Sequence, residues 1–95
     1  MTGKYAYYRE IYLQEKKPKY YAELVESGEL NEHLEKINQQ AHDMKDRIVE
    51  RLKKDSEEWK RMEEDEHLDF MKKWQLLTEF GNIADEYIYQ DIIYA

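Results

Sequence analysis

Leu30, Leu34, Ile37, Ala41, Met44 and Ile48 recur at alternating steps of four and three, with mostly polar residues between them. That spacing lines one side of an α-helix, whereas a strand would need apolar residues at every second position. The stripe is narrow, so it can cover only a thin seam and needs neighbouring helices to pack against. Asn31 is suited to cap the N-terminus of this helix. Leu52 falls outside the repeat, which would place Arg51 on the seam. The helix therefore either rotates or ends nearby.

The rest of the chain reads as helix too. In "KYAYYREIYLQEK", residues 4–16, Tyr5, Tyr8, Ile11 and Tyr12 share one helical face, with Tyr7 off it. Pro18 suits the first position of a second helix, where its missing N–H would be unpaired anyway. Tyr21, Leu24 and Val25 form the stripe of that helix, and Gly28 stands where a left-handed cap is wanted. Asp55 with Glu58, or alternatively Ser56, fits the start of another helix, although one continuous helix through residue 66 satisfies the same text. A further start is expected at Asp65. Phe70, Trp74, Leu77, Ala84, Ile88 and Ile92 then line a last helix, flanked by Met71, Phe80 and Tyr87 and weakly interrupted by Gly81. The final "YIYQDIIYA" contains β-prone residues, but no strand alternation competes.

The expectation is one all-α domain over residues 1–95. It is a small helical bundle with a short N-terminal helix pair and two or three longer amphipathic helices. Charged residues make up 39% of the chain, which alone would lean towards disorder, but the 41% hydrophobic residues are periodic and favour folding. At 95 residues the core is thin, and dimerisation is one way for such a chain to cover its seam.

Several chemistries lack their parts. With no cysteine there is no disulfide, thiolate ligand or cysteine nucleophile. No apolar run reaches the roughly 18 residues a membrane helix needs, so a soluble, cytoplasmic protein is expected. Glu64 and His67 form a Glu-x-x-His pair, the spacing of carboxylate-bridged metal bundles, but no second pair accompanies it. His33 and His42 stand elsewhere. Thr2, Ser27, Ser56 and Thr78 look like caps or terminal residues, and Gly3, Gly28 and Gly81 are isolated, so no phosphate-binding loop exists. The reading is a non-enzyme with no metal and no cofactor.

The charge of −7 is unevenly placed. Residues 1–21 hold Lys4, Arg9, Lys16, Lys17 and Lys19 against Glu10 and Glu15, a net +3, which leaves −10 for the remainder. Tyr5, Tyr7, Tyr8, Tyr12, Tyr20 and Tyr21 lie among those cations. Such interleaving can stack bases and track a backbone. The plainer reading is a core of amphipathic aromatics with wet hydroxyls. At the other extreme, "DSEEWKRMEEDEHLD", residues 55–69, is acidic at eight of fifteen positions. Trp59 and Met62 can face inward there while Glu57, Glu58, Glu63, Glu64, Asp65 and Glu66 face out, which is first a solvated surface. A rigid surface that negative could also occupy a nucleic-acid-binding groove of another protein.

Two blocks resemble a known family. Gly3-Lys4-Tyr5 through Tyr12-Leu13, then Pro18, Tyr21, Leu24, "SGELNEHLEKIN" at 27–38 and Ala41 form the first, and "ADEYIYQDIIYA" at the C-terminus forms the second. Together they are similar to the TnpV proteins of transposons and related mobile elements, while "KKDSEEWKRM" in the middle departs from that pattern. The resemblance implies a role around the DNA transactions of mobile elements and supplies no catalytic residue. The expected function is a non-enzymatic protein that binds and modulates or inhibits a nucleic-acid-handling protein, a recombinase or a CRISPR-type nuclease, through the acidic residues 57, 58 and 63–66. The alternative is an excisionase-like accessory factor that binds DNA through Lys4, Arg9, Lys16, Lys17 and Lys19.

Overall fold

The computed structural model describes residues 3–65 and 70–95, and each described segment is dominated by helix. The elements are α1 (Lys4–Lys16), α2 (Pro18–Ser27), α3 (Leu30–Asp55), α4 (Glu57–Glu64) and α5 (Phe70–Ile88), followed by a π-helical turn at Tyr89–Ile93. No strand occurs among the described residues, so the all-α expectation holds.

The boundaries have local causes. Pro18 opens α2, and Gly28 closes it in the left-handed conformation at φ 76°. There the Gly28 N–H donates to the Val25 carbonyl at 3.2 Å and the Glu29 N–H to the Leu24 carbonyl at 3.0 Å. A single glycine thus turns the chain, because it alone adopts this backbone without a Cβ penalty. The turn is so short that α3 begins at once, at Leu30, with Glu29 in the cap position and no side-chain cap bond. The expected Asn31 cap is therefore corrected: Asn31 lies inside the first turn and is exposed.

α3 spans 26 residues and ends at Asp55. Ser56 is extended, and its hydroxyl accepts the Trp59 N–H at 3.0 Å, so it caps α4 and breaks what could have been one continuous helix. Along α3 the expected seam is buried at Leu34, Ile37 and Ala41 and half-buried at Met44 and Ile48. Leu52 with Val49 then joins a different set of partners, so the contact stripe rotates before the helix stops.

Two cores result. In one, Tyr5 from α1, Ile37 and Ala41 from α3, and Ile88 and Ile93 from the C-terminal segment are buried together. In the other, Trp59 and Met62 of α4 meet Leu76 and Phe80 of α5. This second cluster corrects the N-terminal half of the expected face of the last helix: Phe70, Met71 and Trp74 are 76%, 57% and 54% exposed and Leu76 and Phe80 are buried instead, while Ala84 and Ile88 are buried as expected. The face turns that way because α4 folds onto one flank of α5 and draws the apolar contact with it.

The face of α1 is corrected too. Tyr5, Ala6, Arg9 and Leu13 are buried, whereas Tyr8 is exposed and Ile11 and Tyr12 are half-buried. The assembled chain is a rod with extents of 56 × 21 × 17 Å and a radius of gyration of 17.3 Å, against about 12 Å for a compact domain of this length.

Because the Ser56 hydroxyl is the side-chain cap of α4, Ser56→Ala should lower stability by about 1 kcal/mol. In a domain of this size that is a fall of about 4–8 °C in Tm, read by circular dichroism. An unchanged Tm would show that the cap contributes nothing to holding α4 in place.

Candidate functional site

At the N-terminal end of the rod, most of the cations singled out from the sequence are committed to the chain itself. Arg9 is buried, and its guanidinium donates to the Ile93 carbonyl at 2.9 Å and the Ala95 backbone oxygen at 2.8 Å. These oxygens lie at a helix end, where carbonyls lose their intrahelical partners and a cation is favoured. The π-helical turn re-routes the local ladder, with the Tyr94 N–H reaching the Tyr89 carbonyl at 2.9 Å. Lys17 donates to the Ala95 backbone oxygen at 3.2 Å. Lys4 pairs with Asp85 at 2.6 Å. Of the five residues proposed for nucleic acid, Lys16 and Lys19 remain exposed without such an attachment to the C-terminal segment, so the fold does not gather the five on one open face.

The tyrosines follow the same logic. Tyr12 meets Tyr94 at 5.5 Å between ring centroids, Tyr8 meets Tyr89 edge-on at 5.8 Å, and Tyr5 meets Tyr89 at 6.4 Å. They clasp the C-terminal turn, and the amphipathic-core reading describes them better than a stacking platform. Tyr7 is 58% exposed and touches the Tyr8 ring edge-on at 5.7 Å.

Asp85 is the buried acid that periodicity does not reveal. It is 8% exposed and receives the Lys4 ammonium, the Tyr5 hydroxyl and, at 3.5 Å, the Lys45 ammonium. Burial by itself raises the Asp85 carboxyl, but the hydrogen bonds from Lys4 and Tyr5 and the charges of Lys45 and Lys4 outweigh it and hold the carboxyl below its ordinary 3.8. The same burial and the same carboxylate push the Tyr5 phenol well above its ordinary value. The one sequence signal was an acid beside Ala84 on the inward face, inside the C-terminal block.

At the far end of the rod, Trp59 and Met62 of α4 point inward as expected, and Glu57, Glu58, Glu63, Glu64 and Asp65 are exposed. Glu63 accepts the Trp59 indole N–H at 2.6 Å, and Glu57 lies 3.7 Å from Lys60. Lys53 and Lys73 sit over the Trp59 ring at 5.0 and 5.1 Å, which places two cations beside the acidic turn. Glu66 and His67 lie outside the described residues, as does the Glu64–His67 pair as a unit. Between the two ends, a groove of about 530 Å³ runs along α3 and α5 from Lys4 and Asp85 to Lys53 and Trp74. The sequence did not signal it, because Trp74 was expected to be packed inside.

Two measurements probe this network. Asp85→Asn removes the charge that Lys4, Lys45 and Tyr5 converge on and should cost about 2–4 kcal/mol in urea unfolding. A loss under 0.5 kcal/mol would refute its central place. His33 accepts the Arg9 Nε–H at 3.3 Å on its own Nε2 and must be unprotonated there. Burial, followed by the charges of Arg9 and Lys36, holds its pKa below the ordinary 6.5. A depressed folded pKa gives stability that is complete above the unfolded value and lost as pH falls through the folded one. Stability should therefore decline on acidification below about pH 6.5, and the decline should be shallower in His33→Gln. The Asp85 contribution is lost in a separate window, below its ordinary 3.8.

Comparison with known proteins places this architecture. No curated protein and no solved structure matches the chain. The family model described as "Transposon-encoded protein TnpV" matches residues 1–93. That span includes the α1 cations, the Gly28 turn, Asp85 and Ile93, so the match covers the contacts that join α1 to the C-terminal segment. The chain belongs to the TnpV family of transposon-encoded proteins.

Proposed function

We propose that this protein is a non-catalytic interaction factor of its mobile element, which binds a protein that handles nucleic acid and modulates or inhibits it through the acidic surface of α4. The partner is a recombinase or a CRISPR-type nuclease, a protein whose own working surface is basic. The observation that carries the reading is the unequal use of charge. Arg9 is buried against the C-terminal segment, and the exposed Lys4 and Lys17 are bonded to Asp85 and Ala95 beside it, whereas Glu58 and Glu64 are exposed at the other end and Glu57 is exposed next to Lys60. Complementary fields of this kind steer association and set specificity more than they add raw affinity. DNA, by contrast, rewards clustered free cations, each neutralising a phosphate and releasing counterions.

The test is the combined variant Glu57→Lys, Glu58→Lys and Glu64→Lys, assayed for binding to the recombinase encoded by the same element and to CRISPR-type nucleases. Binding to the recognised partner should weaken at least tenfold, about 1.4 kcal/mol, with the helical spectrum unchanged. Equal affinity of the folded variant would reject the acidic-surface reading. Labelled duplex DNA across a salt series separates the alternative. A salt-dependent complex lost on substituting Lys16 and Lys19 would favour the excisionase-like accessory role.

A further inference from the structure

We infer that the contact between Arg9 and His33 is a pH-sensitive latch on the C-terminal segment: when His33 takes up a proton, residues 89–95 detach from α1 while the rest of the rod stays folded. This inference does not rest on the functional reading above.

The latch consists of neutral acceptors around a buried cation. The Arg9 guanidinium donates to the backbone oxygens of Ile92, Ile93 and Ala95 at 3.4, 2.9 and 2.8 Å and, through Nε, to His33 Nε2 at 3.3 Å. The Tyr12 ring lies 5.6 Å from it. Among the described residues no carboxylate pairs with Arg9. A protonated imidazole has no free lone pair, and both of its ring nitrogens donate. The nitrogen that accepts the Arg9 Nε–H would then present a hydrogen to it, and two cations would meet at that distance with no acid between them. In a partly buried site little water screens their repulsion.

The groups around His33 give the proton a direction to act in. From α1 it meets Arg9, and from α2 it meets Leu24 and the Tyr20 ring, edge-on at 5.8 Å. Glu29, Glu32 and Lys36 share a recess of about 320 Å³ with it. The C-terminal segment approaches through the backbone oxygens that Arg9 holds. Burial and the charges of Arg9 and Lys36 favour the neutral ring, as does its place one turn into α3, near the positive end of the helix dipole. Once charged, the ring is drawn towards Glu29, four residues earlier, and away from Arg9. The three other bonds of the guanidinium all end on residues 92–95, so its displacement is felt there first. The second tie at this end does not respond in the same range, because the Asp85 carboxyl is held below its ordinary 3.8. Opening a terminal segment also costs less than unfolding the chain.

The experiment is amide hydrogen exchange on the full chain, read by mass spectrometry and corrected for the intrinsic pH dependence of exchange. Protection of residues 89–95 should fall by up to about tenfold per pH unit as the pH drops below about 6.5, then level off once His33 is charged. Protection of residues 45–64 should stay constant over the same range. His33→Gln, whose amide oxygen accepts the Arg9 N–H at every pH, should remove the fall. An NMR titration of the unaltered protein should place the His33 midpoint below 6.5. The inference is overturned if His33→Gln keeps the same pH response, if protection is lost equally along the whole rod, or if the His33 midpoint lies at or above 6.5.

Discussion

A guanidinium buried in an all-helical chain has to find acceptors among carbonyls that helix geometry has left unpaired, and here they lie at the C-terminal turn. Arg9 reaches the carbonyl of Ile93 and the backbone oxygen of Ala95, so the first helix and the last turn are fastened by a charge that water no longer reaches. Burying a guanidinium without partners is costly, and the buried Ile93 contributes one of the carbonyls that receive it. The π-helical turn and the tyrosine contacts to Tyr89 and Tyr94 lie beside this group.

Asp85 repeats the principle at the same end of the rod. It joins α1, α3 and α5 through Lys4, Tyr5 and Lys45. The two polar ties flank the Tyr5–Ile37–Ala41–Ile88–Ile93 cluster, so the better-defined core is the one closed by residues distant in sequence. The Trp59–Met62–Leu76–Phe80 cluster is built from shorter-range neighbours and, among the described residues, has no comparable buried charge within it. Stability is therefore expected to be graded along the rod, because cooperative closure needs contacts that span the chain.

The same ties explain how charge is presented. An N-terminal segment rich in lysine and tyrosine looks like a nucleic-acid-binding arm only until its cations are given intramolecular acceptors. With Lys4, Arg9 and Lys17 engaged by the C-terminal segment, Glu57, Glu58, Glu63 and Glu64 of α4 stay exposed, with Lys60 and Arg61 exposed among them. The rod also leaves Trp74 and Phe70 more than half exposed.

Much of the secondary structure was legible because its determinants are local. Pro18 and Gly28 bounded α2 by fixing single backbone conformations, and the four–three spacing from Leu34 to Ala41 found the buried side of α3. Even the loss of register at Leu52 was a true signal, since the stripe rotates there. What spacing could not supply was the identity of the element across the gap. Tyr5, Ala84 and Ile88 were placed on the buried faces correctly, but the rest of the α1 face and the first half of α5 were misplaced by about one residue, because periodicity records which residues share a side and the neighbour that arrives decides which side is inside. Arg9 and Asp85 were opaque for the same reason, as a lone charge reads as solvent-facing until distant acceptors are in place. The sequence by itself determined an all-α chain, its main helix boundaries and its opposed charges. Only the tertiary structure decided which cations are spent, which acids stay open and which aromatics remain exposed, because those outcomes depend on contacts more than eighty residues apart.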